Sequence, residues 1–149
     1  KGLRDAVVTA VLRRGKYLSL MLKGGERLMV HLRMTGAFLA VKKGESLPPF
    51  ARWGLILSGA YDLWMTDIRT FGTAALYQEG EPLDKGFEAL GPEPLDDAMT
   101  GTYLKERARH KKTQVKPFIL DQSIIAGLGN IYADESLFAA SGLRKGLAE

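Results

Sequence analysis

The apolar residues of this chain change period once, near Pro82, and that change limits the folds open to it. Before it, short runs rich in Val, Leu, Met and aromatic residues partly alternate between Gly-containing breaks. They are Ala6 to Leu12, Tyr17 to Leu22, Arg27 to Leu32, Ala37 to Val41, Trp53 to Leu57, Leu63 to Thr66 and Thr73 to Tyr77. Alternation puts one side of a strand in a core and the other in water, so these runs predict β-strands. Lys23-Gly24-Gly25-Glu26 and Ser58-Gly59-Ala60 supply turns, and strands at this spacing suggest a sandwich or barrel. Beyond Pro82 the pattern is helical. Phe87 to Leu90 is a short turn or helix, Gly91-Pro92-Glu93-Pro94 a stiff link, and Thr100 can cap a helix through Tyr103, Leu104 and Ala108. The expected class is therefore α+β, with no internal repeat and no low-complexity tract.

The most organised helical stretch is Gln114 to Ala140. Lys116-Pro117 fits a helix start, where the missing N–H of proline costs nothing, and Phe118, Ile119, Leu120 and Ile124 supply a buried stripe. This helix is expected to end near Gln122. Gly127-Leu128-Gly129-Asn130 then turns the chain, with glycines free to take positive φ, into a second helix from Ile131 to Ala140. The start of that helix leaves N–H groups unpaired, which is a ready site for an anion. A helical hairpin whose glycines merely let it turn would have the same outline. Lys112 and Lys116 upstream, with Asn130 and Tyr132 at the turn, favour phosphate, because such groups converge on one end of the hairpin.

Charge points the same way. The 149 residues carry a net charge of +4, which alone is weak evidence for a polyanionic partner. Its distribution is more specific: Lys105, Arg107, Arg109, His110, Lys111, Lys112 and Lys116 lead into the hairpin, whereas Lys42-Lys43 beside Gly44 reads as a solvated face. No apolar run approaches the length of a membrane span, Lys1-Gly2-Leu3-Arg4 does not open a signal peptide, and a cytoplasmic monomer is expected. The chain has no cysteine, and its two histidines, His31 and His110, lie far apart, so no metal and no cofactor are expected within it.

The string VKPFILDQSIIAGLGNIYADESLFAA resembles the helix-two-turn-helix of the formamidopyrimidine-DNA glycosylases, bacterial repair enzymes that remove oxidised purines such as 8-oxoguanine. Further pieces follow the family's order: RRGKYLSL at Arg13 to Leu20, HLRMTG at His31 to Gly36, DIRTFG at Asp67 to Gly72 and LGPEPL at Leu90 to Leu95. The resemblance implies an antiparallel β-sandwich over residues 1–90 and a helix-two-turn-helix DNA-binding region over 91–149. It implies a base-excision glycosylase and abasic-site lyase whose partner is damaged double-stranded DNA, acting by base flipping and a Schiff base.

The resemblance also assigns roles. Removing a base leaves a gap that an apolar side chain can fill without needing water. Met34 and Phe71, taken alone, fit core packing as readily as a wedge, but both sit among turn-forming polar residues. By resemblance Met34, Arg69 and Phe71 fill the vacated space, with the Arg69 guanidinium hydrogen-bonding the orphaned pyrimidine. Lys16 holds the phosphate beside the lesion and assists strand cleavage, although an ordinary strand-end lysine would look the same. His31, Lys112, Lys116 and Asn130 carry the remaining backbone contacts, which should make affinity depend on salt.

Some of the family pattern is not in this sequence. The family's nucleophile is an N-terminal proline followed by glutamate, and its chains end in a four-cysteine zinc finger; neither is present, so a fragment is expected, inactive alone, with structural zinc implied outside it. Ile68 and Thr70 replace Pro and Arg of the family's Asp-Pro-Arg-Arg-Phe-Gly, Arg33 stands where glycine is usual, and a DNA-contacting histidine is replaced near Phe50. Two other classes remain open from the residues: a non-catalytic nucleic-acid binding module of helix-two-turn-helix type, and a β-rich domain whose basic residues are only solvated.

Overall fold

The computed structural model describes residues 3–146, with side chains to Ser141; Lys1, Gly2 and residues 147–149, which the expected domain bounds include, lie outside the described residues. The chain divides after Pro82 into two compact units.

Seven strands make the first unit: β1 (Val8–Arg14), β2 (Tyr17–Leu22), β3 (Arg27–His31), β4 (Ala37–Lys42), β5 (Ala51–Leu55), β6 (Tyr61–Thr66) and β7 (Thr73–Tyr77). Every pairing is antiparallel, giving one sheet in the order β1-β2-β3-β7 and another in the order β4-β6-β5. The alternation of β2 and β3 explains the core between them. Leu18 faces Val30 and Leu20 faces Leu28 across the strands, so alternate residues reach the same side. Leu20, Leu28 and Val30 are buried there, and Phe38, Trp53 and Leu55 of the second sheet pack against them. Phe38 and Trp53 meet edge to face, with ring centroids 5.3 Å apart. β5 begins two residues earlier than the alternation suggests. Its pairing with β6 slips between Ala51 and Trp53, and that irregularity hides the strand's start from a period-two pattern.

The second unit holds α1 (Lys85–Glu88), α2 (Gly101–Ala108), α3 (Val115–Leu120) and α4 (Asn130–Gly146). Thr100 caps α2 as its sequence predicts, its hydroxyl accepting the Tyr103 N–H at 3.0 Å. α3 ends at Leu120 rather than near Gln122, because Asp121 leaves helical geometry and accepts the Ser123 N–H and hydroxyl instead. α4 starts at Asn130, one residue earlier than expected, with the Gly129 carbonyl accepting the Ala133 N–H at 2.9 Å. Phe118, Ile119, Ile124, Ile125 and Ala133 form the core of this unit, with Leu104 and Leu137 against it. Among the described residues no helix is long and apolar enough to cross a membrane.

Ile124 is fully buried in the non-helical segment between α3 and α4, where no helix backbone can close over a void. Ile124→Ala is expected to cost roughly 2–5 kcal/mol, read as a lower urea midpoint of the transition that reports on the second unit.

Candidate nucleic-acid interface

Strand register gathers the candidate residues of the first unit at one end of its two sheets. Tyr17, His31 and Thr73 stand side by side across β2, β3 and β7, so Lys16, the Arg33–Thr35 turn and Phe71 all leave the first sheet at the same end. In the second sheet Thr66 pairs with both Ala37 and Ala51, which brings Gly36, Asp67 and Phe50 together in the same way. These loops are distant along the chain, and strand pairing makes them neighbours.

One buried carboxylate binds the loops to one another. Asp67 is only 2% exposed, and a buried charge persists only where enough donors surround it. Its Oδ1 accepts the Thr35 hydroxyl and the Arg69 N–H at 3.0 Å, while Oδ2 accepts the Gly72 N–H at 2.8 Å. The Thr35 hydroxyl contributes most to holding this carboxyl down at about 2 rather than 3.8, with the Gly72, Arg69 and Phe71 backbone groups adding to it against the opposing effect of burial. Arg52 fastens the backbone on the other side, donating from Nε to the Asp67 carbonyl at 2.7 Å and from Nη2 to that of Ile68 at 3.2 Å. Below, Gly36 and Gly72 lie against the end of buried Met65, where an added Cβ at either position would collide with it.

Three candidates therefore project from braced turns. Met34 is 78% exposed and Phe71 60%, which settles against core packing for both. The Arg69 guanidinium lies 3.8 Å from the Met34 sulfur, so these two side chains meet directly, while Phe71 is tied to them through Asp67. His31 braces the same turn: its Nδ1 accepts the Arg33 N–H at 3.0 Å and its ring meets Tyr17 edge to face at 4.6 Å. Lys16 is exposed in the turn before Tyr17.

Three of the four positions that depart from the family pattern prove to be conformationally special. Arg33, Phe50 and Thr70 have φ of 57°, 60° and 58°, the left-handed region that side chains ordinarily avoid. Asp67, Arg52 and this strain went unassigned in the sequence. A polar residue opening a Gly-ending turn is a usable signal for Asp67, but Arg52 acts on a carbonyl sixteen residues away and left no local trace.

In the second unit a single side-chain amide shapes the turn between α3 and α4. Gln122 Nε2 donates to the Leu120 carbonyl at 3.0 Å and to that of Leu128 at 2.9 Å, and its Oε1 accepts the Gly127 N–H at 2.9 Å. Gly127 takes φ of 82°, as the turn requires. Asn130 is exposed at the start of α4. Lys116 reaches Asp134 of α4, with Nζ 2.6 Å from one carboxylate oxygen and 2.9 Å from the other. Lys112 is exposed in the stretch after α2. Among the described residues no three His, Asp or Glu side chains gather as a metal site, and without cysteine the chain offers a zinc ion no thiolate ligands.

Known proteins share this arrangement. Residues 1–74 match the formamidopyrimidine-DNA glycosylase N-terminal domain and residues 90–144 the H2TH domain of the same glycosylase. A formamidopyrimidine-DNA glycosylase of Desulforamulus reducens is 42% identical over 129 residues, 86% of this chain and 47% of that protein. The crystal structure of MutM (Fpg) from Thermus thermophilus superimposes with a TM-score of 0.79 at 36% identity, covering 89% of this chain and 48% of its own. The Lactococcus lactis enzyme, bound non-covalently to DNA containing an AP site, gives 0.79 at 31% identity, covering 89% and 51%. The chain thus spans about half the length of the relatives it matches.

The depressed Asp67 carboxyl gives the first unit a defined acid response. Its contribution to stability is complete above pH 3.8 and disappears as pH falls through about 2. Asp67→Asn should lower the urea midpoint at neutral pH and flatten its dependence on pH between those limits; an unchanged slope would mean that Asp67 is not the group lost. Relief of the left-handed strain at Arg33 has the opposite sign, so Arg33→Gly should raise stability by roughly 0.5–1 kcal/mol, after allowance for the backbone entropy of glycine.

Proposed function

Because the chain belongs to the formamidopyrimidine-DNA glycosylase family, we propose that it is the damage-recognition part of a base-excision glycosylase and abasic-site lyase that excises oxidised purines, 8-oxoguanine and formamidopyrimidines, from duplex DNA. The observation that carries this reading is the exposure of Met34 and Phe71 on turns braced beside Arg69. A protein that only held the sugar-phosphate backbone would gain nothing from two large apolar side chains left in water. An enzyme that empties a place in the duplex needs groups to fill it.

The roles rest on the family resemblance and on the chemistry of each side chain. As the damaged nucleotide rotates out, Met34 and Phe71 enter the space it leaves, and Arg69 offers its planar donors to the orphaned pyrimidine. Lys16 holds the phosphate beside the lesion and assists elimination; His31, Lys112, Lys116 and Asn130 hold further phosphates. Base loss then proceeds through attack of an amine on the anomeric carbon, and the resulting imine allows the strand to be cleaved by elimination. The setting is the bacterial cytoplasm, alongside the chromosome.

Binding of this chain to two duplexes, one intact and one carrying a stable abasic analogue opposite cytosine, tests the reading. Arg69→Ala should reduce the preference for the abasic duplex by about tenfold or more, since a bidentate contact to a base is worth roughly 1–3 kcal/mol. Lys112→Ala should weaken both complexes alike and lower the salt slope by about one. Equal losses on both duplexes from Arg69→Ala would leave only a backbone binder.

A further inference from the structure

The same end of the first unit carries two more large apolar side chains that the gap-filling roles do not use. Phe50 is 56% exposed and Ile68 61%. Both are fixed to the Asp67 centre through their main chains: the Phe50 carbonyl accepts the Asp67 N–H at 3.1 Å, and the Ile68 carbonyl accepts from Arg52. Phe50 also holds φ at 60°, a conformation that disfavours any residue with a Cβ and a bulky aromatic especially. The main chain uses this conformation to close the Pro48–Ala51 turn, in which the Pro48 carbonyl accepts the Ala51 N–H at 3.2 Å, and the ring itself is left more than half exposed. Turn geometry accounts for the backbone but not for the choice of a large exposed ring there.

We propose that Phe50, with Ile68 beside it, is a second stacking platform that takes the face of a nucleobase flanking the lesion once base flipping has opened the stack. This deepens the proposed function and rests on it. The chemistry fits one occupant. An aromatic ring and an aliphatic side chain, close in sequence to Arg52 and Arg69, suit a flat, apolar heterocycle joined to a phosphate. They do not suit a phosphate alone, for neither side chain offers a hydrogen bond. Phe50 and Ile68 share the Asp67 anchor with the turns that carry Met34, Arg69 and Phe71, so they stand at the same end of the first unit.

The test uses this chain and duplexes with an abasic analogue, a fluorescent 2-aminopurine beside it, and an intact control. Phe50→Gly removes the ring and also relieves the left-handed strain, so the two effects separate. The thermal midpoint should rise, while affinity for the abasic duplex falls about five- to a hundredfold, the range expected for one stacked base. The quenching of 2-aminopurine on binding should be lost, and Phe50→Trp should restore both affinity and quenching. Binding to the intact duplex should change little. Unchanged affinity and quenching in Phe50→Gly, with Phe71→Ala still impaired, overturns the platform and leaves the proposed function standing. If the unaltered chain shows no preference for the abasic duplex, or if Arg69→Ala and Phe71→Ala also leave that preference intact, both are rejected.

Discussion

The first unit depends on one carboxylate almost wholly withdrawn from water. Asp67 follows the end of β6, where the sheet stops supplying partners for main-chain N–H groups, and it takes over that task for the loop that follows. Its oxygens also reach Thr35, on the turn leaving β3. Two loops far apart in sequence thereby share a single anchor, and Met34, Arg69 and Phe71 acquire fixed positions without any packing of their own. A buried charge is costly when its donors are missing and effective when they are complete. The arrangement favours precision at the turns it anchors.

The second unit solves a related problem with neutral groups. The segment between α3 and α4 runs through the interior, so its main-chain groups must find partners or lose stability on burial. Gln122 supplies three, the Tyr103 hydroxyl donates to the Ile124 carbonyl at 3.0 Å, and Arg107 donates to that of Ser123 at 3.2 Å. The link before α2 joins in. The Gly91 N–H meets the Gln122 carbonyl and the Ala126 N–H meets that of Pro92. Ile124 and Ile125 can then be buried without stranding polar atoms.

The charged groups behave differently from these buried ones. Lys116 and Asp134 form a close but solvent-accessible pair, and pairs of that kind contribute little to stability. A phosphate can therefore compete for Lys116 at small cost. Lys111 and Lys112 are both exposed, yet the Nζ of Lys111 lies 5.9 Å from the centre of the Phe118 ring, within reach of its π face. The basic run upstream of the hairpin is thus not uniform, because one of its lysines is drawn to an aromatic side chain of α3.

Much of the architecture was legible in the residues. Period-two runs marked the strands because burial on one side of a sheet forces alternation, and Thr100 and Gly127 marked a helix start and a turn because their local chemistry leaves few other uses. Exposed Met34 and Phe71 could be suspected from their polar neighbours, and resemblance supplied a role. What the residues alone could not determine was which loops meet. The sharing of Asp67 by Thr35, Arg69 and Gly72 and the grip of Arg52 on two carbonyls arise from strand pairing across long separations. Local sequence encodes φ, ψ and capping, which depend on near neighbours. The site depends on register between distant strands, and only the packed tertiary structure decides that.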